Sequence, residues 1–564
     1  MLKGIAVSQG IGLGRVMLLE EQGLPLTASG GREPVAERQR FRQAVEAFCQ
    51  STASQVEQLR RSAGDEDAFI LESHIQMARD PILLEEVEAL IGEGACAGQA
   101  LEQVCQRYIE IFSSSHDELT RLRAADIRDM RSSLRCLLAG AQEVSLRNVP
   151  KGTVLVTKEL SPSVMSGIDG ENVVGIVTET GGMSSHSSIL ARALGIPTVC
   201  GVQGAVALLK AGCFVIVDGS RGEVLCSPAQ RVIEDYYHRR EEFLSHRSQV
   251  KKYKNRETRA ASGEVFSLTG NISLPSGAAG AVAAGAEGVG LFRTEYLFMN
   301  RAVPPDEAEQ TAAYTLALEG AGGRPVTIRT LDAGGDKDVP CLDLPKEENP
   351  FLGQRGIRWC LAHRELFLIQ LRALLRAGVG RALRVMFPMV STLEELRQAK
   401  ALLGEAAAQL KAQGIAVEKP LPVGVMIETP AAAWTAESLA QEADFFSIGT
   451  NDLTSYIMAC DRSNAQVAGM CSPLQPGVLR CLGHVIASAR GAGIPVTICG
   501  EAAADPRMIP LLMAFGITGF SVSPGAVLQV RKIISDWSLA DAQALASQVL
   551  AAGTLPETAA LSGA

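Results

Sequence analysis

From residue 264 onward, short apolar segments begin near Val265, Gly288, Val326, Arg384, Val423, Asp444, Val496 and Thr518. Helical patterns such as Leu393 to Leu410 and Leu474 to Arg490 separate most of them, and the Leu361 to Arg376 helix fills one of the longer connections. Strands that alternate with helices pair in parallel, because each helix returns the chain to the edge from which the next strand starts. Eight such strands over roughly 280 residues are what a (β/α)8 barrel requires.

A barrel of this kind presents functional groups at the carboxyl ends of its strands. The second segment ends in Arg293 and Glu295, the third in Arg329 and Asp332, and the fifth in Glu428. The sixth runs into Asn451 and Asp452, and the seventh ends in Cys499 and Glu501. Polar groups therefore gather at one predicted mouth. Arg293, Arg329, Lys337, Arg355 and Arg462 lie near strand ends or in rim loops. Guanidinium forks match phosphate and carboxylate geometry, so this set suits a small, strongly anionic substrate. Glu428 and Asp452 offer few, hard oxygen ligands, as Mg²⁺ prefers when it also binds a substrate phosphate.

The first half reads differently. Apolar positions from Glu37 to about Gly140 follow a helical period, with Phe41, Val45, Phe48, Val56 and Leu59 on one stripe and Leu101, Val104, Tyr108 and Phe112 on another. Strand-like runs flank this helical unit: Gly4 to Leu19 before it, then Thr153 to Thr157, Val173 to Thr178 and Phe214 to Val217 after it. The pattern is an α/β domain interrupted by a helical insertion. Gly10, Gly12 and Gly14 do not form G-x-G-x-x-G and read as turns and bulges. The charged stretch Arg231 to Arg259 reads as a solvated linker helix.

Within the α/β domain, Gly181 to Ile189 (GGMSSHSSI) follows the Val173 to Thr178 strand. Paired glycines permit a tight turn, and serines can cap the helix that follows. His186 thus stands at or just before a helix N-terminus, where free backbone N–H groups can receive a phosphate and the positive helix end disfavours imidazolium. A neutral imidazole there is a competent nucleophile towards phosphorus. His74, His116, His238, His246, His363 and His484 lack this setting.

The net charge of -9 argues against a dedicated nucleic-acid binder. Ser276 to Phe292, the most apolar stretch, is built of Gly and Ala and contains Glu287, so no membrane insertion is expected. Ser8, Gln9 and Arg15 interrupt any signal-peptide core, which makes the cytoplasm the default compartment. The 13 cysteines, without any C-x-x-C, read as free thiols.

Long motifs in a fixed order now carry a resemblance. Gly181 to Val199 (GGMSSHSSILARALGIPTV) is similar to the phosphohistidine signature of phosphoenolpyruvate-utilising enzymes. GLFRTEYLF (290–298), RTLDAGGDK (329–337), NPFLGQRGIR (349–358), GVMIETP (424–430), FSIGTNDL (446–453) and Cys499 to Glu501 are similar to barrel segments of that group. With the opening GIAVSQGIGLG and RAADIRD (123–129), the chain resembles the enzyme I family of the bacterial sugar phosphotransferase system over essentially its whole length.

The resemblance implies a multidomain α/β fold. Residues 1–24 and 145–230 would form a swivelling phosphohistidine domain, 25–144 an inserted helical subdomain that docks a phosphocarrier, 231–259 the linker, and 260–564 a phosphoenolpyruvate-binding (β/α)8 TIM barrel that also dimerises. His186 would accept the phosphoryl group, and Cys499 would protonate the enolate as pyruvate forms. Arg293, Arg329 and Arg462 would hold the substrate, Asn451 and Asp452 would contact it, and Lys337 and Arg355 would add contacts. Glu428 and Asp452 would bind Mg²⁺. The acceptor would be a histidine phosphocarrier protein, HPr or a relative, and the barrel would form a homodimer. No fused carrier, transporter-type or sensory domain is expected.

Met183, Gln354, Ser463, Met470-Cys471 and Ala504 depart from the common family pattern without removing a catalytic group. Two other readings stand beside this one. A phosphoenolpyruvate synthase or pyruvate phosphate dikinase would need a large nucleotide-binding domain, and no G-x-x-x-x-G-K-[ST] occurs. An inactive regulatory paralogue would bind phosphoenolpyruvate or a carrier without turnover, against which His186, Cys499, Glu428 and Asp452 together argue.

Overall fold

The computed structural model describes all residues except 20–32, 63–71, 73, 114–117, 140–148, 159–167, 169–171, 181–190, 192–193, 300, 302, 336–338, 343, 345–346, 418–420, 463, 465 and 564. The chain divides into two compact units, Met1–Arg247 and Ser248–Ala564. The division falls inside the helix Gln230–Lys251, within the charged stretch.

In the first unit, β1 (Leu2–Lys3), β2 (Ile5–Ser8), β3 (Ile11–Leu19), β4 (Thr153–Thr157), β5 (Val173–Thr178), β6 (Thr198–Cys200), β7 (Phe214–Asp218) and β8 (Glu223–Cys226) form one sheet, in the order β1-β8-β7-β3-β4-β5-β6-β2. β3, β4, β5 and β6 run parallel and the outer strands antiparallel. The strand runs expected from alternation at 153–157 and 173–178 coincide with β4 and β5. The early glycines differ from expectation. Gly10 lies at a turn with φ +124°, but Gly12 and Gly14 sit inside β3, where a Cβ would strike the carbonyl oxygens of Val174 and Gly152. Close backbone approach, not a turn, requires them.

The helices Pro34–Ser62, Pro81–Gly92, Ala97–Ser113 and Glu118–Ala139 pack a separate apolar cluster containing Phe41, Phe48, Val87, Ile91, Leu101 and Met130. Asp80 starts the second of these by accepting the N–H groups of Ile82 and Leu83, with Pro81 at the first helical position. Of the first expected stripe, Phe41, Val45 and Phe48 enter this cluster, whereas Val56 packs with Leu155 and Ile176 of the sheet.

In the second unit, β9 (Ser267–Ile272), β10 (Val289–Arg293), β11 (Val326–Arg329), β12 (Leu383–Phe387), β13 (Val423–Ile427), β14 (Phe445–Gly449), β15 (Val496–Cys499) and β16 (Gly519–Val522) close an all-parallel barrel, with β16 paired to β9. All eight start within about two residues of the positions read from apolar patterning, inside the usual boundary error of such readings. Period-2 alternation then sorts the side chains. Leu291, Met386, Met426, Phe445 and Cys499 fill the barrel interior, while Val385, Val425, Phe446 and Ile498 join the larger core under the helices. Among the covering helices, Leu393–Ala412 begins with a capping box in which Thr392 and Glu395 bond each other's backbone N–H. Among the described residues, no helix is long and apolar enough to cross a membrane.

One expectation needs correction. Cys460 and Cys471 are paired as a disulfide, with their Cα atoms 6.5 Å apart. The intervening loop folds back far enough to bring the two Cα atoms within the range a disulfide spans.

Candidate active site at the carboxyl end of the barrel

Parallel strands open all their carboxyl ends at one mouth, so residues far apart in sequence converge there. Arg293 ends β10 and stands in register with Arg329, which ends β11. Glu428 follows β13, Asn451 and Asp452 open the helix Thr450–Met458 after β14, and Cys499 ends β15. Arg355 comes from the connection between β11 and β12, and Arg462 from the loop after Thr450–Met458. His186 and Lys337 lie outside the described residues.

The floor of the mouth is a buried ion network. Arg329 donates from Nη2 to Glu295 Oε1 at 2.6 Å and lies 3.1 Å from Asp332 Oδ2. Arg355 grips Asp332 through Nε at 3.1 Å and Asp452 through Nη2 at 2.9 Å. Its Nη1 also donates to the hydroxyl of Tyr456, one helical turn beyond Asp452, at 3.4 Å. Arg329 is 5% exposed and Arg355 1%. Burial alone would weaken both cations, but Asp332 acts on both, with Glu295 on Arg329 and Asp452 on Arg355, and holds them firmly charged. Arg462 is exposed, with Nη2 3.9 Å from Asp452 Oδ1.

Four carboxylates, Glu295, Asp332, Glu428 and Asp452, thus face two buried guanidinium groups. Glu428 records the surplus: burial first, then Asp452 and Asp332, push its pKa up to about 8 against the pull of Arg329 and Arg355. Its Oε1 accepts the N–H of Met389 at 2.6 Å. Met389 holds φ +58°, a strained value for a residue with a side chain. Gly449 leaves the other oxygen room, since a Cβ there would come 2.7 Å from Glu428 Oε2. Among the described residues, no group of three or more His, Cys, Asp or Glu forms a metal cage by itself. Two hard-oxygen carboxylates, Glu428 and Asp452, fit a divalent cation that takes its remaining ligands from substrate and water.

Cys499 is 2% exposed, with its sulphur 3.5 Å from the Ser447 hydroxyl and 3.4 Å from the Ile448 carbonyl. Burial pushes the thiol up, Ser447 opposes this, Glu428 adds to it, and Arg329 and Arg293 pull back. The result is a thiol that keeps its proton beside two cations. Asn451 turns its Oδ1 to the N–H of Glu501 at 3.1 Å, fixing the turn after β15 where Gly500 has φ +91°.

The structure therefore brings Arg293, Arg329, Arg355, Asn451, Asp452, Arg462, Glu428 and Cys499 to one mouth. Sequence reasoning noted Glu295 and Asp332 at the rim but gave them no role, and it passed over Met389 and Tyr456. The i, i+4 spacing from Asp452 was the signal that could have found Tyr456. Gln370, from the helix Arg364–Ala377, braces the floor by accepting the N–H of Leu331 and donating to Tyr314.

Three family models match the chain: the N-terminal domain of phosphoenolpyruvate-utilising enzymes over 3–123, their mobile domain over 149–222, and their phosphoenolpyruvate-binding domain over 247–539. A phosphoenolpyruvate-protein phosphotransferase of Bacillus sp. (strain S) is 40% identical over 557 residues, covering 99% of this chain and 96% of its own. Its counterpart in Bacillus subtilis (strain 168) is 38% identical over 560 residues, covering 99% and 98%. A solution structure of an Enzyme I protein (nEIt) is 33% identical, covers 43% of this chain and 99% of its own, and has a TM-score of 0.37. With near-complete coverage at these identities and a phosphoenolpyruvate-binding match over the barrel, the chain belongs to the phosphoenolpyruvate-protein phosphotransferase family of phosphoenolpyruvate-utilising enzymes.

Proposed function

We propose that the protein moves the phosphoryl group of phosphoenolpyruvate to its own His186 and then to a histidine phosphocarrier protein, HPr or a relative, releasing pyruvate. The single observation that carries this is the convergence of cations, two hard-oxygen carboxylates and a protonated thiol at one barrel mouth. Membership of the family supplies the substrate class.

Arg293, Arg329 and Arg462 hold the phosphate and carboxylate of the substrate, Asn451 and Asp452 contact it, and Lys337 and Arg355 add contacts. Glu428 and Asp452 would hold Mg²⁺, which when bound supplies charge stabilisation to the transferring phosphoryl group. To do so, Asp452 turns from Arg355. The imidazole nitrogen of His186 attacks phosphorus, the P–O bond breaks, and the electron pair leaves on enolpyruvate. Cys499 Sγ–H gives its proton to the methylene carbon of the enolate, and the thiolate regains one from solvent. Proton delivery to carbon makes pyruvate and opposes return of the phosphoryl group.

The division of labour belongs to the same reading. Residues 1–24 and 145–230 carry His186, 25–144 dock the carrier, 231–259 take up the swing, and 260–564 bind phosphoenolpyruvate and pair with a second copy in the cytoplasm. Incubation with labelled phosphoenolpyruvate and Mg²⁺ tests the proposal. The expected result is a phosphate that resists base, is lost in acid, maps to His186 and passes to added HPr. Undiminished labelling of His186→Ala overturns the acceptor assignment, and no labelling of the unaltered protein overturns the activity.

A further inference from the structure

The helix Thr450–Met458 carries Asn451 and Asp452 in its first turn and ends at Ala459, a left-handed cap with φ +50°. Cys460 follows directly. The chain then passes through Arg462, makes the short helical turn Ala468–Met470, and reaches Cys471 just before the helix Pro476–Gly491. Cys460 and Cys471, eleven residues apart, close that loop as a disulfide. Both are half-buried, and the Cys471 sulphur also lies 3.9 Å from the Ser455 hydroxyl on the Asp452 helix. Arg462 is therefore enclosed by a covalent ring whose two ends are anchored to helices.

We propose that Cys460 and Cys471 form a reversible redox site that tunes how firmly Arg462 holds the anionic substrate. This rests on the reading of Arg462 as a substrate-binding residue. A long guanidinium side chain on an open loop must be ordered each time substrate binds, and a preorganised one is not. Closing the bridge restrains the loop with Arg462 near Asp452; opening it restores that cost. The oxidant is a low-molecular-weight disulfide. One thiolate attacks it, releasing one thiol, and the second attacks the mixed disulfide, releasing another. The protein loses two protons and two electrons, and the small disulfide takes them up as two thiols.

The test uses the full chain, equilibrated with glutathione disulfide or with dithiothreitol and mapped by mass spectrometry for the 460–471 bridge. Exchange of labelled pyruvate into phosphoenolpyruvate, with Mg²⁺, gives KM without any carrier. The expected result is a KM about three- to tenfold lower in the bridged form, the range set by immobilising one long side chain, with kcat little changed. Cys460→Ser/Cys471→Ser is expected to show one KM under both conditions. A KM that is unchanged or raised on bridging, a bridge that does not form, or a response that persists in the double variant overturns the inference. Arg462→Ala separates the two readings. If it raises KM while bridging has no effect, only the redox inference fails; if it leaves KM unchanged, the substrate role of Arg462 fails and takes the inference with it.

Discussion

Arg355 Nη2 meets Asp452 Oδ2 at 2.9 Å across 97 residues of chain, and the same guanidinium holds Asp332 on its other side. This bridging cation sits between the carboxylate proposed to hold the metal and one that also pairs with Arg329 on the barrel floor.

Removing it takes the buried partner from Asp452 and leaves Asp332 to Arg329 alone. Arg355→Ala is expected to destabilise the barrel unit by about 3–5 kcal/mol, the usual loss when one partner of a buried pair is deleted. All three tryptophans, Trp359, Trp434 and Trp537, lie in that unit, so urea unfolding followed by tryptophan fluorescence reads it directly. A midpoint that hardly moves would show the network to be dispensable.

Cys499→Ala is expected to bind phosphoenolpyruvate normally but to form pyruvate about 10²–10⁴-fold more slowly, the typical contribution of a general acid. In the unaltered protein, burial disfavours the thiolate, so the thiol keeps its proton beyond the pH at which a free cysteine ionises. Pyruvate formation should therefore show no thiol-dependent fall below that pH. A kcat profile that declines through the ordinary thiol range, and loses that decline in Cys499→Ala, contradicts this.

Glu428 binds its proton more tightly folded than unfolded, since burial and two neighbouring carboxylates raise it to about 8. Its contribution to stability is thus fully present below the ordinary carboxylate value and is lost as pH rises through about 8. Mg²⁺ binding requires the deprotonated carboxylate. The thermal shift produced by Mg²⁺ should be larger at pH 8 than at pH 6. An equal shift at both would remove Glu428 from the ligand set.

Gly449→Ala would bring a Cβ within 2.7 Å of Glu428 Oε2 while leaving every charge in place. The expected effect is a magnesium requirement raised about 10–100-fold, as when a supporting group around a metal site is altered. Calorimetric titration with Mg²⁺ checks it, and unchanged affinity would show that Glu428 has room to spare.

The barrel was legible in sequence because its cause is local: each strand is a short apolar run, and each connection has its own helical period. The rim residues were legible for the same reason, since Arg329, Glu428 and Cys499 follow such runs directly. Gly12 and Gly14 were misread because the crowding that demands glycine comes from the backbone of Val174 and Gly152, remote in the chain. The pairing of Arg355 with Asp332 and Asp452 was likewise hidden, and so were the support of Glu428 by Met389 and the bridge between Cys460 and Cys471. Patterning along the chain specifies which elements form and which end of each carries chemistry. Which charges neutralise one another depends on distances between strands and loops that no local pattern encodes, so the pairing of carboxylates with arginines at the barrel mouth emerged only from the tertiary structure.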